Sequence, residues 1–254
     1  MPKKTIFALI CGLIFSLGFA PFDQWILSII SLVILLFLIE NTSNKESFLI
    51  GYLFGIGMWL SGISWLYVSI HFHGNISSIG SAFLIIVFIS ILSIYSGLVF
   101  LSNNYLKNSI PKALSIFALP VVWTSIELIR SYLFTGFPWL ISGTMLADTL
   151  IDGLTPIIGA QGNSFFIIFI SVLIFKIIKD FRLKLLPLGL ILVTVTLLLS
   201  AFATKTISWT DPIDKIKVSL HQPNLKLEDK WSRLGIMKSQ DCLLYTSDAA
   251  DELR

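Results

Sequence analysis

The sequence predicts an all-α polytopic membrane domain of about seven transmembrane helices that leads into a soluble strand. Three observations predict it. The 254 residues are 55% hydrophobic and only 13% charged, where an ordinary soluble domain carries about 25% charged residues; mean hydropathy is +0.86. Seven apolar stretches recur along the chain at lengths that suit a bilayer. Basic residues gather in alternate connections between those stretches, as they do when loop charge sets topology.

The apolar stretches are 5–20, 25–39, 48–70, 79–101, 113–133, 164–178 and 186–203. A helix crosses the hydrocarbon with roughly 20 apolar residues, about 17 at the short end. The first, second and sixth are short, so they tilt little or extend into flanking loops. Lys3 and Lys4 ahead of the first run resemble the start of a signal peptide, but Pro21 and Phe22 follow Ala20 without a convincing cleavage site. The run therefore reads as an uncleaved first span.

Placing the N-terminus in the cytoplasm puts Lys3, Lys4, Lys45, Lys107, Lys112, Lys176, Lys179, Arg182 and Lys184 on the inside. The outside loops between spans then hold only Arg130, near a span end. An odd number of spans carries everything after Ala203 to the outside, the periplasm of a bacterial inner-membrane protein. The net charge of +3 is accounted for by these loops and does not point to nucleic acid. Cys11 and Cys242 imply no disulfide framework.

Gly51, Gly55, Gly57 and Gly62 line the third stretch at helical spacing. Such a stripe permits close helix packing in lipid, or borders a substrate path. Trp59, Trp65 and Tyr67 lie towards its outer end, as an interfacial aromatic belt or as a lateral gate for lipid. The connection 132–163 is too long for a simple hairpin, and its Gly136-Phe-Pro-Trp139 run suggests a segment that packs at the interface. After Ala203 a polar connector precedes Ile216-Lys-Val-Ser-Leu220, where apolar and polar residues alternate as in a half-buried strand. Gln222-Pro-Asn224 ends that pattern, and 226–238 reads as a loop passing into a helix.

Intramembrane charge is costly and functional by default. Glu127 and Arg130 are three residues apart, share a helix face and can form an ion pair. The pair either ties its span to the following loop or offers a polar site for a lipid headgroup or a reacting amine. His71 and His73 are a weak metal signal without further nearby ligands, and read as an interfacial loop. Glu40 reads as a solvated helix end, and Asp148 and Asp152 show no partner in the sequence. No nucleotide-binding loop, nucleophile elbow or zinc-protease motif is present, so these residues form no complete catalytic set.

The run Glu127-Leu-Ile-Arg-Ser-Tyr-Leu-Phe-Thr-Gly-Phe-Pro-Trp139 resembles the fifth-span and loop signature of the apolipoprotein N-acyltransferases. Gly153-Leu-Thr-Pro-Ile-Ile-Gly159 is similar to a later loop of that family, and Phe19-Ala-Pro-Phe22 and Trp65-Leu-Tyr-Val-Ser69 to its first hairpin and third span. Val218-Ser-Leu-His-Gln-Pro-Asn224 with Lys230-Trp231 resembles the opening of its nitrilase-like domain. Two departures stand out: Thr144-Met-Leu-Ala replaces an aromatic and a Gln, and Gln222-Pro replaces the more usual Gln-Gly.

The resemblance implies a fold and an activity. The membrane domain would occupy 1–204, and 205–241 would be the connector and truncated start of an α/β nitrilase-like (αββα) domain. The enzyme would take an acyl chain from a phospholipid donor in the bilayer and place it on the α-amino group of a diacylglyceryl apolipoprotein acceptor, with no cofactor and no metal. A base-activated thiolate would carry the acyl group as a thioester, beside a cation that stabilises the oxyanion. The family's catalytic Glu, Lys and Cys match no residue here, so this chain alone is expected to be inactive. Trp231 matches a tryptophan at the lipid-facing entrance, where core packing is the alternative. Glu127, Arg130 and Trp139 are candidates for handling lipid; Gly136, Pro138, Gln222 and Asn224 are structural candidates.

Residues 242–254 read differently from the rest. Back-translated, Cys242 to Glu252 fits a transposon-type sequencing adapter in frame, so this stretch is expected not to be native and Cys242 is not counted as a nucleophile. Other classes were weighed against the enzyme: a polytopic transporter or channel with an incidental tail, and a membrane scaffold. A transporter would favour internal repeats and midplane polar groups, which the sequence does not display, and a scaffold has no need of the Gly-Phe-Pro-Trp loop.

Overall fold

Each apolar stretch carries a helix, and the polar punctuation between them sets the ends. A computed structural model describes residues 2–149, 152–179, 186–218, 220, 222–226, 229–230 and 232–251. The chain divides into two units: Met1–Leu66 with Ala82–Trp209, and Tyr67–Ser81 with Thr210–Arg254. The helices in chain order are α1 (Pro2–Phe15), α2 (Trp25–Leu38), α3 (Asn44–Ile63), the single turn α4 (Leu66–Val68), α5 (Ser78–Ser109), α6 (Ala118–Tyr132), α7 (Thr155–Lys179), α8 (Leu186–Thr204) and α9 (Arg233–Asp251).

Among the described residues, four helical stretches are long and apolar enough to cross a membrane: Asn44–Ile63, Ser78–Ser109, Leu114–Thr135 and Asp152–Lys179. Seven were expected. α1 and α2 have 14 residues each; at 1.5 Å per residue that is about 21 Å, short of the roughly 30 Å hydrocarbon core.

The first unit is built around close backbone contact between α1 and α3. A Cβ on Gly12 would lie 2.0 Å from the Phe54 carbonyl oxygen, and one on Gly57 would lie 2.1 Å from that of Leu9. Gly51 and Gly55 instead face α5, where a Cβ would meet Phe100 at 2.6 Å and Ser96 at 2.8 Å. Gly51, Gly55 and Gly57 thus serve packing against two helices, and Gly62 faces Leu140, 2.3 Å from the position of a Cβ. Where the helices meet, Phe15, Phe54 and Phe100 surround Trp123 at centroid distances of 5.6, 6.1 and 6.0 Å.

Hydroxyls supply the polar contacts that lipid cannot. Ser28 Oγ donates to Phe15 O at 2.6 Å and Ser31 Oγ to Cys11 O at 2.5 Å, fastening α2 to α1. The N-terminus of α3 is closed by a capping box between Ser43 and Glu46, which satisfies two otherwise orphaned backbone donors. Asn104 Nδ2 donates to Asn44 Oδ1 at 2.7 Å, joining that cap to α5. Glu40 is not a free solvated end: it forms a salt bridge with Lys179 of α7. Asp152 pairs with Lys205 at 3.1 Å.

In the second unit, His71 Nδ1 bonds to Ile76 O at 2.7 Å and Tyr67 Oη to Ser78 Oγ at 2.7 Å. The expected strand does not form among the described residues of 216–220. Ile216, Val218 and Leu220 are 83, 73 and 95% exposed. The alternation marks a face for burial, but a strand needs a ladder partner and a packed face to persist. Gln222 and Asn224, expected to close that strand, are exposed, and Asn224 has φ +50°, a conformation Asn tolerates better than most residues. The expected helix past residue 226 is α9, whose first turn is capped by Ser232 Oγ accepting from Gly235 N–H at 3.0 Å.

Candidate functional site: a loop clamped by Glu127 and Arg130

Helix α6 ends in a loop that turns back over it, and two charged side chains of that helix hold the loop in place. Glu127 and Arg130 are 6% and 4% exposed. Burial of two charges in an apolar bundle is tolerable only when each is well bonded. Glu127 Oε1 accepts from Ser142 N–H at 2.9 Å, from Ser142 Oγ–H at 2.7 Å and from Trp123 Nε1–H at 2.9 Å. Arg130 Nη1 donates to Phe137 O at 2.5 Å and to Trp139 O at 2.7 Å. Its guanidinium carbon lies 4.9 Å from the centroid of the Trp59 ring, a cation–π distance.

The direct ion pair that the i, i+3 spacing suggested does not form. Loop carbonyls accept from Arg130, and the Ser142 amide and hydroxyl donate to Glu127, so the loop supplies the partners of each charge. The opposite charges instead line one small cavity of about 30 Å³, with Trp59, Tyr95, Trp123 and Leu140 among its walls. Glu127 Oε2 and Trp59 Nε1 are buried there without a hydrogen-bond partner among the described residues. The volume matches one small polar group of about the size of water.

Between the two anchor points the backbone is forced into unusual conformations. Phe134, Thr135 and Leu140 have φ of +53°, +71° and +50°, each costing of order 1 kcal/mol or more for a residue with a Cβ. Gly136 adopts φ +81°, and a Cβ there would lie 2.0 Å from Ser131 O. Pro138 stands between the two carbonyls that Arg130 holds, with its own φ fixed and no N–H to satisfy.

The loop carries an aromatic lip. Phe137 stacks on Trp139 at 5.8 Å and packs on Trp59 and Phe88 at 6.0 and 5.1 Å. Trp139 is 46% exposed and lies 5.6 Å from Trp65, while Tyr132 and Phe134 are exposed at the turn. Trp59 is only 1% exposed, so it is a wall of the clamp and not part of an interfacial belt. Beyond the lip, the 3₁₀ turn Ser142–Leu146 seats on α7: Gly143 N–H donates to Ser164 Oγ at 2.8 Å. A Cβ on Gly143 would lie 1.8 Å from Ala160 O, so only glycine permits this approach.

The structure therefore gathers Glu127, Arg130, Gly136, Pro138 and Trp139 into one assembly. Trp231 lies outside the described residues. Sequence reasoning missed Trp123 and Ser142, and placed Trp59 at the interface and not beside the charged pair. Trp123 stands one helical turn before Glu127, and that i, i+4 spacing could have flagged it; no spacing rule brings Ser142 or Trp59 to the pair.

Residues 11–173, which include both anchors and the whole loop, match the family model of the apolipoprotein N-acyltransferase N-terminal domain. The chain belongs to the apolipoprotein N-acyltransferase family. Relatives carrying that name include a protein of Photobacterium profundum, 33% identical over 240 residues, with 91% of this chain and 46% of the relative covered. That of Haemophilus influenzae is 34% identical over 231 residues, covering 89% and 43%. That of Coxiella burnetii is 33% identical over 230 residues, covering 90% and 47%. The chain thus spans somewhat less than half the length of these apolipoprotein N-acyltransferases.

Proposed function

We propose that this chain is the membrane part of an enzyme that moves an acyl chain from a membrane phospholipid to the α-amino group of the N-terminal diacylglyceryl-cysteine of apolipoproteins. The observation that carries the reading is the match of residues 11–173 to the family's N-terminal domain. The clamped loop gives it a physical basis. Trp139 and Phe134 present apolar surface at a fixed position beside the span end, suited to acyl chains, and Glu127 and Arg130 set that position from below.

The finer parts of the reading follow from the sequence. Seven crossings with the N-terminus in the cytoplasm accord with the lysines at one end of the spans. The short α1 is extended by the 3₁₀ turn Ser16–Gly18, and thinning of the bilayer offsets the remaining mismatch at modest cost. Residues 205–241 then open a periplasmic nitrilase-like domain, with 242–254 as adapter read-through. Acyl transfer through a Cys thioester would belong to that domain. This chain by itself, with no residue matched to the family's Glu, Lys and Cys, does not turn over.

Photo-crosslinking tests the lipid-handling role. Trp139 is replaced by benzoylphenylalanine and the membrane-embedded chain is illuminated with a tritiated diacylglyceryl-cysteine lipopeptide. Labelling that unlabelled lipopeptide abolishes is expected. Equal, non-competable labelling from a benzoylphenylalanine at Ile86, an exposed site on α5, removes the role. In parallel, the purified chain is offered a fluorescent phospholipid donor; release of its acyl chain contradicts the expected inactivity.

A further inference from the structure

The opposite, lysine-bearing end of the first unit holds a second pocket that the acyl-transfer reading does not use. It measures about 430 Å³ and opens between the C-terminal ends of α2, α5 and α7. Lys107, Lys112, Lys176 and Lys179 line it, against the single carboxylate of Glu40. Lys179 is held by Glu40, and Lys176 Nζ donates to Ser115 Oγ at 2.9 Å. Lys107 has no ion-pair or hydrogen-bond partner among the described residues, and it is only half-exposed.

Asn103 is the second, independent observation. It lies one helical turn before Lys107 on α5, lines the same pocket and is 5% exposed. Its side-chain amide makes no hydrogen bond among the described residues. The residue is buried, but its amide atoms are not sealed off and stay open to the pocket, where they can bond a ligand. Helix dipoles explain why lysines gather at C-terminal ends. They do not explain a roomy cavity with an amide donor at its base and, one turn above, an ammonium that makes no direct hydrogen bond or ion pair among the described residues.

We propose that this pocket binds a phosphate group, supplied by the headgroup of an anionic phospholipid. An amide N–H, a lysine ammonium at i, i+4 and further lysines at the rim are the donors that a phosphodiester takes. Leu36, Ile39, Leu119 and Phe175 add apolar wall, which suits the glycerol and first acyl carbons and gives a free inorganic ion nothing to bind. Basic pockets between spanning helices are suited to such headgroups. By the lysine distribution this lipid comes from the cytoplasmic leaflet, away from the proposed acyl donor, so it would be a structural lipid and not a substrate.

The test uses the 254-residue chain in neutral detergent, with binding read by native mass spectrometry and by fluorescence titration. The probes are dioleoylphosphatidylglycerol, dioleoylphosphatidylcholine and inorganic phosphate. Phosphatidylglycerol is expected to bind in preference to phosphatidylcholine, and Lys107→Gln is expected to weaken it about tenfold, the worth of one charge-assisted hydrogen bond. Lys45→Gln, on the same end but outside the pocket, leaves it unchanged. Asn103→Ser, which keeps a small polar group, serves as the second variant if another substitution fails to fold. Displacement of the lipid by millimolar phosphate keeps the anion site but assigns it to free phosphate. Equal binding of the two lipids, or unchanged binding in both Lys107→Gln and Asn103→Ser, overturns the proposal.

Discussion

Glu127 Oε1 accepts the backbone N–H of Ser142 at 2.9 Å, across fifteen residues of chain that turn through three left-handed non-glycine conformations. One carboxylate oxygen thereby serves as the far anchor of the whole loop. Replacing Glu127 by Ala leaves the Ser142 amide, the Ser142 hydroxyl and the Trp123 indole without that acceptor, and leaves Arg130 as an uncompensated buried charge. A loss of roughly 3–5 kcal/mol is expected, read as a lowered midpoint of thermal unfolding in detergent. Glu127→Gln keeps one acceptor oxygen and should lose distinctly less; equal losses in the two variants argue that charge, not acceptor geometry, holds the loop.

Arg130→Lys tests the near anchor. Nη1 of Arg130 reaches two carbonyls at 2.5 and 2.7 Å while the planar group faces Trp59. An ammonium cannot reproduce the planar contact and the fork together. The expected cost is about 1–3 kcal/mol, with faster protease cleavage within 133–141. Wild-type cleavage rates in this variant contradict the clamp.

Gly136→Ala acts through the backbone alone. The residue sits at φ +81° and its added Cβ would lie 2.0 Å from Ser131 O, so both strain and a clash oppose it. Destabilisation of about 1–3 kcal/mol follows, together with a changed environment of Trp139 in its fluorescence emission. Pro138→Ala, which keeps both neighbouring carbonyls, should cost under about 1 kcal/mol.

Gly57→Val probes the packing of α1 on α3. With the Leu9 carbonyl oxygen 2.1 Å from the position of a Cβ, the two backbones must separate. Loss of the folded bundle in detergent is expected, seen as a broad, early-eluting peak in size-exclusion chromatography. Gly80→Ala, whose Cβ would meet nothing nearer than 3.0 Å, is the control that keeps its native elution.

The apolar segments and their helices were legible because period and composition act locally: a run such as 79–101 has no polar alternative to a helix in lipid. The capping box at Ser43 and Glu46 was equally local, though it needs the helix start to be placed. Crossing length was less legible, since α1 and α2 stop at 14 residues where the apolar runs go on. The strand pattern at 216–220 is not formed among the described residues, because alternation specifies which face is to be buried and does not itself supply a ladder partner.

By itself the sequence determined that this is a helical membrane protein, where its positive charges gather, and, through the order of its motifs, its family. It also singled out Glu127, Arg130 and the Gly-Phe-Pro-Trp loop, because buried charge beside a Gly–Pro turn is improbable without a purpose. Only the tertiary structure decided what those charges bind. The sequence spacing offered an ion pair within one helix, and the fold supplied nearer partners, Ser142 from one end of a loop and the Phe137 and Trp139 carbonyls from the other. It likewise moved Trp59 from the membrane interface to the wall of the clamp. Hydrogen bonds are satisfied by whichever donors and acceptors packing brings within about 3 Å, and that proximity is a property of the fold and not of the sequence interval.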